Sequence, residues 1–254
     1  MELGLKGKTA LITGGTSGLG AATAELLAAE GVDLALNYVV KEEESIAFAK
    51  SVADKYGVKC FAVYADISKP ADDDAMVNKV LDEFKGGLDI LVNCAGIWPT
   101  AYVEDMTDEQ WEKCVAIDLN GTFFVTKRVV KHMIERGKGG RVITTVSQAA
   151  FHGSTSGHAH YAASKGGLVT FNVSLAREVA KYGINCTCVA PGMMRTQMNQ
   201  QALAEREDEY LARIPLRRIS EAKDVANVIT FLASDPASYI TGATIDVTGG
   251  MLMR

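Results

Sequence analysis

Short, nearly continuously apolar runs alternate with longer stretches of helical periodicity along this chain, and that alternation leaves few folds open. The runs are "TALIT" (9–13), "LALN" (34–37), "CFAVYA" (60–65), "LDILVN" (88–93), "RVITTV" (141–146), "NCTCVA" (185–190) and "ATIDV" (243–247). Apolar at successive positions, they read as strands covered on both faces. The segments 19–31, 42–57, 72–84, 161–183 and 221–234 read as helices, and Gly31, Gly57 and Gly183 fit helix C-termini. The pattern predicts an α/β fold. It is a single Rossmann-like, doubly wound parallel sheet of about seven strands, with helices on both faces and right-handed crossovers.

No linker, repeat or low-complexity tract divides the 254 residues, so 1–254 reads as one domain. The segment at about 193–213 stands apart. It is rich in Met, Gln, Glu and Arg between a strand end and the next helix, and it reads as a mobile substrate lid. A net charge of −5 supplies no basic excess for nucleic acid. No apolar stretch is long enough for a membrane span, and the N-terminus has no targeting pattern. Five cysteines without a CxxC pair suit buried thiols in a reducing compartment. The expected location is therefore the cytoplasm.

Gly14, Gly18 and Gly20 lie between the first strand and first helix, with Ser17 and Leu19 in the same turn. Glycines there allow a tight turn and close backbone approach, and a helix N-terminus offers free N–H groups to a pyrophosphate. At the end of the second strand stand Asn37 and Tyr38, where an NAD site carries an acid for the ribose 2′-OH. A neutral Asn37, with Ser17 and Lys41 nearby, leans toward NADP(H) and leaves NAD(H) open. Two further strand ends carry Asp66-Ile67 and Asn93, Ala95 and Gly96. Asp66 either accepts from an adenine amino group or caps its turn. Asn93, Ala95 and Gly96 either present backbone to a ribose or close a loop.

Tyr161 and Lys165 are four residues apart on one helix face, separated by Ala, Ala and Ser. Ser147 ends a strand 14 residues earlier, and Asn120 lies in "IDLNGTF". In order, TGxxxGxG at 13–20, NxAG at 93–96, Asn120, Ser147, YxxxK at 161–165 and PGxxxT at 191–196 resemble the short-chain dehydrogenases/reductases nearly end to end. The resemblance implies metal-free hydride transfer between a nicotinamide and a secondary alcohol or ketone. It makes Tyr161 the general acid/base, with its phenol drawn below a free pKa of ~10 by the Lys165 ammonium. Lys165 would also hold the nicotinamide ribose. Ser147 would hold the substrate oxygen, and Asn120 would position a water beside Lys165. Pro191, Gly192, Met194 and Thr196 would seat the carboxamide. The Ser–Tyr spacing is one longer than usual in the family, which implies an insertion in "FHGSTSGHAH". Cys94 departs from the usual second Asn.

His152, His158 and His160 follow Ser147 closely, but no GxSxG elbow accompanies them, so a Ser/His hydrolase is disfavoured. A zinc site from His158 and His160 lacks further ligands. These histidines read as cleft-edge or solvated residues. Trp98, Met193, Met194 and Met198 suggest an apolar pocket wall. Within the enzyme class the alternative is a 3-oxoacyl-carrier-protein reductase, for which Lys138 and Lys181 would help dock an acidic carrier. Outside it the alternative is a non-catalytic nucleotide-binding sensor. The implied partners are a small-molecule substrate and further copies of the chain, as a tetramer or dimer.

Overall fold

The structure, a computed structural model, describes residues 2–254 except Gly86 and Thr155, and the side chains of Met198 and Ala202 also lie outside the description. The chain runs β1 (Thr9–Thr13), α1 (Gly18–Ala29), β2 (Asp33–Tyr38), α2 (Glu42–Tyr56), β3 (Cys60–Tyr64), α3 (Pro70–Glu83) and β4 (Ile90–Asn93). It continues through α4 (Asp108–Val115), a π-helical segment (Ala116–Gly121), α5 (Thr122–Arg136), β5 (Gly140–Thr145), the short α6 (Ala149–His152), α7 (Ala159–Val179) and β6 (Ile184–Pro191). Last come β7 (Met194–Arg195), α8 (Gln200–Arg213), β8 (Ser220–Glu221), α9 (Ala222–Ala233) and β9 (Thr244–Val247).

Seven strands pair in the order β3-β2-β1-β4-β5-β6-β9, and every pairing is parallel. The predicted doubly wound sheet is therefore present, while β7 and β8 form a separate two-stranded ladder. The apolar runs are explained by coverage on both faces. Ala10 and Ile12 of β1 pack with α1 and α9 on one side, and Leu11 packs with α3, α5 and α7 on the other. Gly31, Gly57 and Gly183 follow helices with φ of 81°, 69° and 72°, a region open chiefly to glycine.

The strand order reverses between β1 and β4. In an open α/β sheet, that switch point leaves a crevice at the carboxyl ends of the strands. The π-helical segment between α4 and α5 was not visible in the periodicity. It brings Gly121 so close to the Ile67 carbonyl oxygen that an added Cβ would sit 2.7 Å away.

On α3, Asp73 shares the inward face with Met76, Val77 and Val80 and is 0% exposed. Neither carboxyl oxygen has a hydrogen-bond partner among the described residues. Arg128 is engaged by Asp74, at 2.6 Å and 2.8 Å. Burial pushes Asp73 up to about 7, against the pull of Arg128. A raised carboxyl pKa means that the folded state binds the proton more tightly than the unfolded chain. Its stabilising contribution is present below the ordinary carboxyl pKa and is lost as pH rises toward 7. Asp73→Asn is therefore expected to be more stable than the parent at pH 8, by on the order of 2–4 kcal/mol. Urea denaturation should show the difference shrinking at pH 5; a variant less stable at pH 8 would contradict the assignment.

Candidate active site

A cleft of about 530 Å³ opens at the switch point. Its first wall is the glycine turn. A Cβ on Gly20 would lie 2.1 Å from the Gly14 carbonyl oxygen, so this crossing admits no side chain. Ser17, the N-cap of α1, makes no side-chain cap hydrogen bond, which leaves its hydroxyl and the first N–H groups of the helix facing the cleft. The residues present thus fit a pyrophosphate at this helix end.

Asn37 is buried, and its side chain is spent on the turn. Its Oδ1 accepts from Gly14 N at 3.1 Å, and its Nδ2 donates to Ala65 O at 3.0 Å. Tyr38, Val39 and Val40 continue this wall without a carboxylate. Asp66 is the only acidic residue lining the cleft among those described. Its Oδ1 accepts from Ser68 N and Oγ at 3.1 Å and 2.7 Å, so Asp66 both caps its turn and faces the cleft. Ile67, Leu19, Ala95 and Gly96 also line it, as do Pro191, Gly192, Met194 and Thr196.

α7 carries Tyr161 and Lys165 into the same space as Ser147. The Lys165 ammonium is buried, 5.5 Å from the centre of the Tyr161 ring, and donates to Thr145 O at 3.2 Å. Its second neighbour is one the sequence reading passed over. Asp118 is 0% exposed, and its Oδ2 lies 3.9 Å from Lys165 Nζ. Asp118 Oδ1 accepts from Ile97 N at 2.8 Å. Gly96 makes room for both groups: an added Cβ there would stand 3.3 Å from Asp118 Oδ1 and 3.4 Å from Lys165 Nζ.

Burial sets the electrostatics. It raises the Tyr161 phenol above its ordinary value; Lys165 and a hydrogen bond from Ser147 pull it down, and Asp118 adds to the rise. The expected lowering of the phenol is thus outweighed by desolvation in the protein alone. Burial alone would lower Lys165, but Asp118 and Tyr161 more than offset it, and the ammonium is held above its usual range. Asp118 is raised by burial, against Lys165 and the Ile97 N–H.

A family model described as enoyl-(acyl carrier protein) reductase matches residues 14–252. The chain is 38% identical over 251 residues to the 3-oxoacyl-(acyl-carrier-protein) reductase FabG of Escherichia coli, covering 99% of this chain and 100% of that one. It is 37% identical to the FabG of Staphylococcus epidermidis over 246 residues, covering 97% and 99%. A dehydrogenase/reductase from Sinorhizobium meliloti superposes with a TM-score of 0.91 at 34% identity, over 99% of this chain and 98% of that one. The chain belongs to the short-chain dehydrogenase/reductase family. It is an oxidoreductase of that family, acting between a secondary alcohol and a ketone.

Residues singled out in the sequence that do not reach this family's cleft include His160, which is 0% exposed rather than at the cleft edge or solvated. Asn120 is exposed on the π-helical segment and does not line the cleft; the buried side chain beside Lys165 is Asp118, two residues earlier. Asn93 points into the sheet, where its Nδ2 donates to Thr126 Oγ1 at 3.0 Å and Thr144 Oγ1 at 3.2 Å. Its work is to tie β4 to β5 and α5. Among the described residues no three His, Cys, Asp or Glu side chains gather as a metal-binding group. Cys186 and Cys188 are buried, with thiols pushed up to about 12 by burial. Of the expected apolar wall, Trp98, Met193 and Met194 line the cleft, and the Met198 side chain lies outside the described residues. No helix among the described residues is long and apolar enough to cross a membrane.

Removing Asp118 strands a buried ammonium. Asp118→Ala is expected to cost about 3 kcal/mol of unfolding free energy, read by chemical denaturation, with Asp118→Asn losing less. Equal stability of parent and Ala variant would show that the carboxyl does not balance Lys165.

Proposed function

We propose that this protein is an NADP(H)-dependent 3-oxoacyl-thioester reductase, working on acyl chains held by a carrier protein. The observation that carries this reading is full-length similarity to the two FabG enzymes, at 38% and 37% identity, over a cleft that unites Ser147, Tyr161 and Lys165. The absence of a carboxylate at Asn37–Val40 supports NADP(H) over NAD(H). The 1–254 chain acts as one domain, with 193–213 as a lid. That segment contributes Met193, Thr196, Tyr210 and Arg213 to the cleft, and α8 breaks at Arg206, where φ is −141°. The working protein is a cytoplasmic homo-oligomer, a tetramer or dimer.

The coenzyme, when bound, supplies or accepts the hydride. Ser147 donates a hydrogen bond to the substrate carbonyl oxygen and so fixes it beside the phenol. Tyr161 gives its proton to that oxygen as charge develops there. Burial keeps the phenol protonated at neutral pH, which suits reduction. Lys165 holds positive charge behind the phenol and stabilises the phenolate left after transfer. Asp118 positions and balances Lys165 at 3.9 Å. In the other direction Tyr161 must start as phenolate, so oxidation calls for alkaline pH.

Tyr161→Phe should reduce turnover of acetoacetyl thioesters at least a thousandfold while leaving NADPH fluorescence titrations nearly unchanged; substantial residual turnover would sink the assignment. Tight NADPH binding without turnover of any carbonyl or alcohol by the parent would favour a nucleotide sensor. Asp118→Asn removes a negative neighbour that raises the phenol, so the rising limb of the alcohol-oxidation pH profile should move to lower pH. A limb that moves upward would reverse the role given to Asp118.

A further inference from the structure

The histidine three residues ahead of Tyr161 is built into the wall of the same cleft. His158 is 3% exposed and lines the cleft with Trp98. The two rings stack with centroids 4.1 Å apart and planes 21° apart. Gly157 and His158 are stitched to the loop after β4, by a bridge between His158 and Ala101 and by Ala101 N donating to Gly157 O at 2.8 Å. Gly157 has φ of 74°, and an added Cβ would lie 3.0 Å from Thr100 Cγ2, so the chain turns here without a side chain. The ring is therefore a fixed wall.

One contact sets its chemistry. His158 Nδ1 lies 2.8 Å from the Pro99 carbonyl oxygen. A carbonyl only accepts, so Nδ1 carries the proton. Burial lowers the pKa of the ring below its ordinary value, with His160 adding to the fall and the Pro99 carbonyl opposing it. The neutral ring is then an Nδ1–H tautomer whose Nε2 bears a lone pair. The Nδ1–Pro99 contact is the one side-chain hydrogen bond of this ring among the described residues, and Nε2 makes none.

We propose that His158 Nε2 is a specificity-determining hydrogen-bond acceptor that selects substrates carrying a donor near the reacting carbonyl. A second carbonyl oxygen cannot serve it. Two substrate chemistries can: a hydroxyl on a neighbouring carbon, or the amide N–H of a thioester arm. The inference rests on the carbonyl reduction assigned above but not on the carrier thioester.

Two matched pairs separate the sources. The first is 1-hydroxy-2-butanone against 2-butanone; the second is acetoacetyl-pantetheine against the S-ethyl thioester of acetoacetate, which has no amide. The parent enzyme should prefer the donor-bearing member of one pair by about tenfold in kcat/KM, the scale of one net hydrogen bond. His158→Phe should bring that ratio close to one, and His158→Gln, which keeps an acceptor oxygen, should retain part of it. A parent that reduces all four without preference would overturn the proposal and leave the reductase reading standing. Inactivity on all four would sink the reductase reading itself. A ratio unchanged in His158→Phe would assign the preference to another group and overturn the role of His158.

Discussion

A lysine ammonium buried at the inner end of a cleft is the constraint around which the rest of this site is arranged. An isolated ammonium out of water is costly unless hydrogen-bonded and paired. Lys165 meets that demand with the Thr145 carbonyl from the end of β5 and the Asp118 carboxyl from the π-helical segment. The Asp118 carboxyl and the ammonium itself both crowd the chain at Gly96, where an added Cβ would stand 3.3 Å and 3.4 Å from them. Three separate parts of the fold therefore converge on one charge. The parallel sheet makes this possible, because all its strands end on the same side.

The fold was legible because both faces of the sheet are covered. Coverage forces nearly continuous apolar runs, and the seven strands of the main sheet differ from the runs read in the sequence by no more than a residue or two at either end. The glycine turn and the Tyr161–Lys165 pair were legible for a similar reason. Each is local, and a helix of ordinary pitch places i and i+4 on one face. Asn120, which the resemblance placed beside Lys165, lies instead on a segment where ordinary helical spacing does not hold. A π-helical turn holds more residues than an α-turn, so the faces rotate through Ala116–Gly121, and Asp118 turns inward while Asn120 turns out. Nothing in "IDLNGTF" marks that extra residue, and an aspartate in a helix reads as a surface charge.

The strand-end asparagines illustrate a second limit. Asn37 and Asn93 stand at the carboxyl ends of β2 and β4, beside the coenzyme cleft, so residue type and position both pointed to ligand contact. Yet buried polar groups must first satisfy one another. Asn37 holds the Gly14 amide, and Asn93 holds two threonine hydroxyls. Asn37 lines the cleft with its side chain already engaged, and Asn93 shapes it at one remove. Which partner a buried amide finds depends on residues distant in sequence, such as Thr126 and Thr144, whose pairing with Asn93 exists only once the sheet and α5 are packed.

The same competition between local and long-range effects decides the phenol. Judged by its neighbour one turn away, Tyr161 ought to ionise easily. Placed in the protein it is held protonated, because desolvation acts on it more strongly than Lys165 does, and Asp118 adds to the effect. That balance gives the resting site a direction. A protonated phenol donates to a carbonyl oxygen at once, whereas an alcohol must wait for a base. Positive charge from oxidised coenzyme would tilt the balance back toward phenolate, so the coenzyme's redox state and the readiness of Tyr161 are linked through one electrostatic field. A buried carboxyl beside Lys165 stiffens that link, since it keeps the lysine charged while opposing the phenolate, and the two effects act on opposite halves of the same proton transfer.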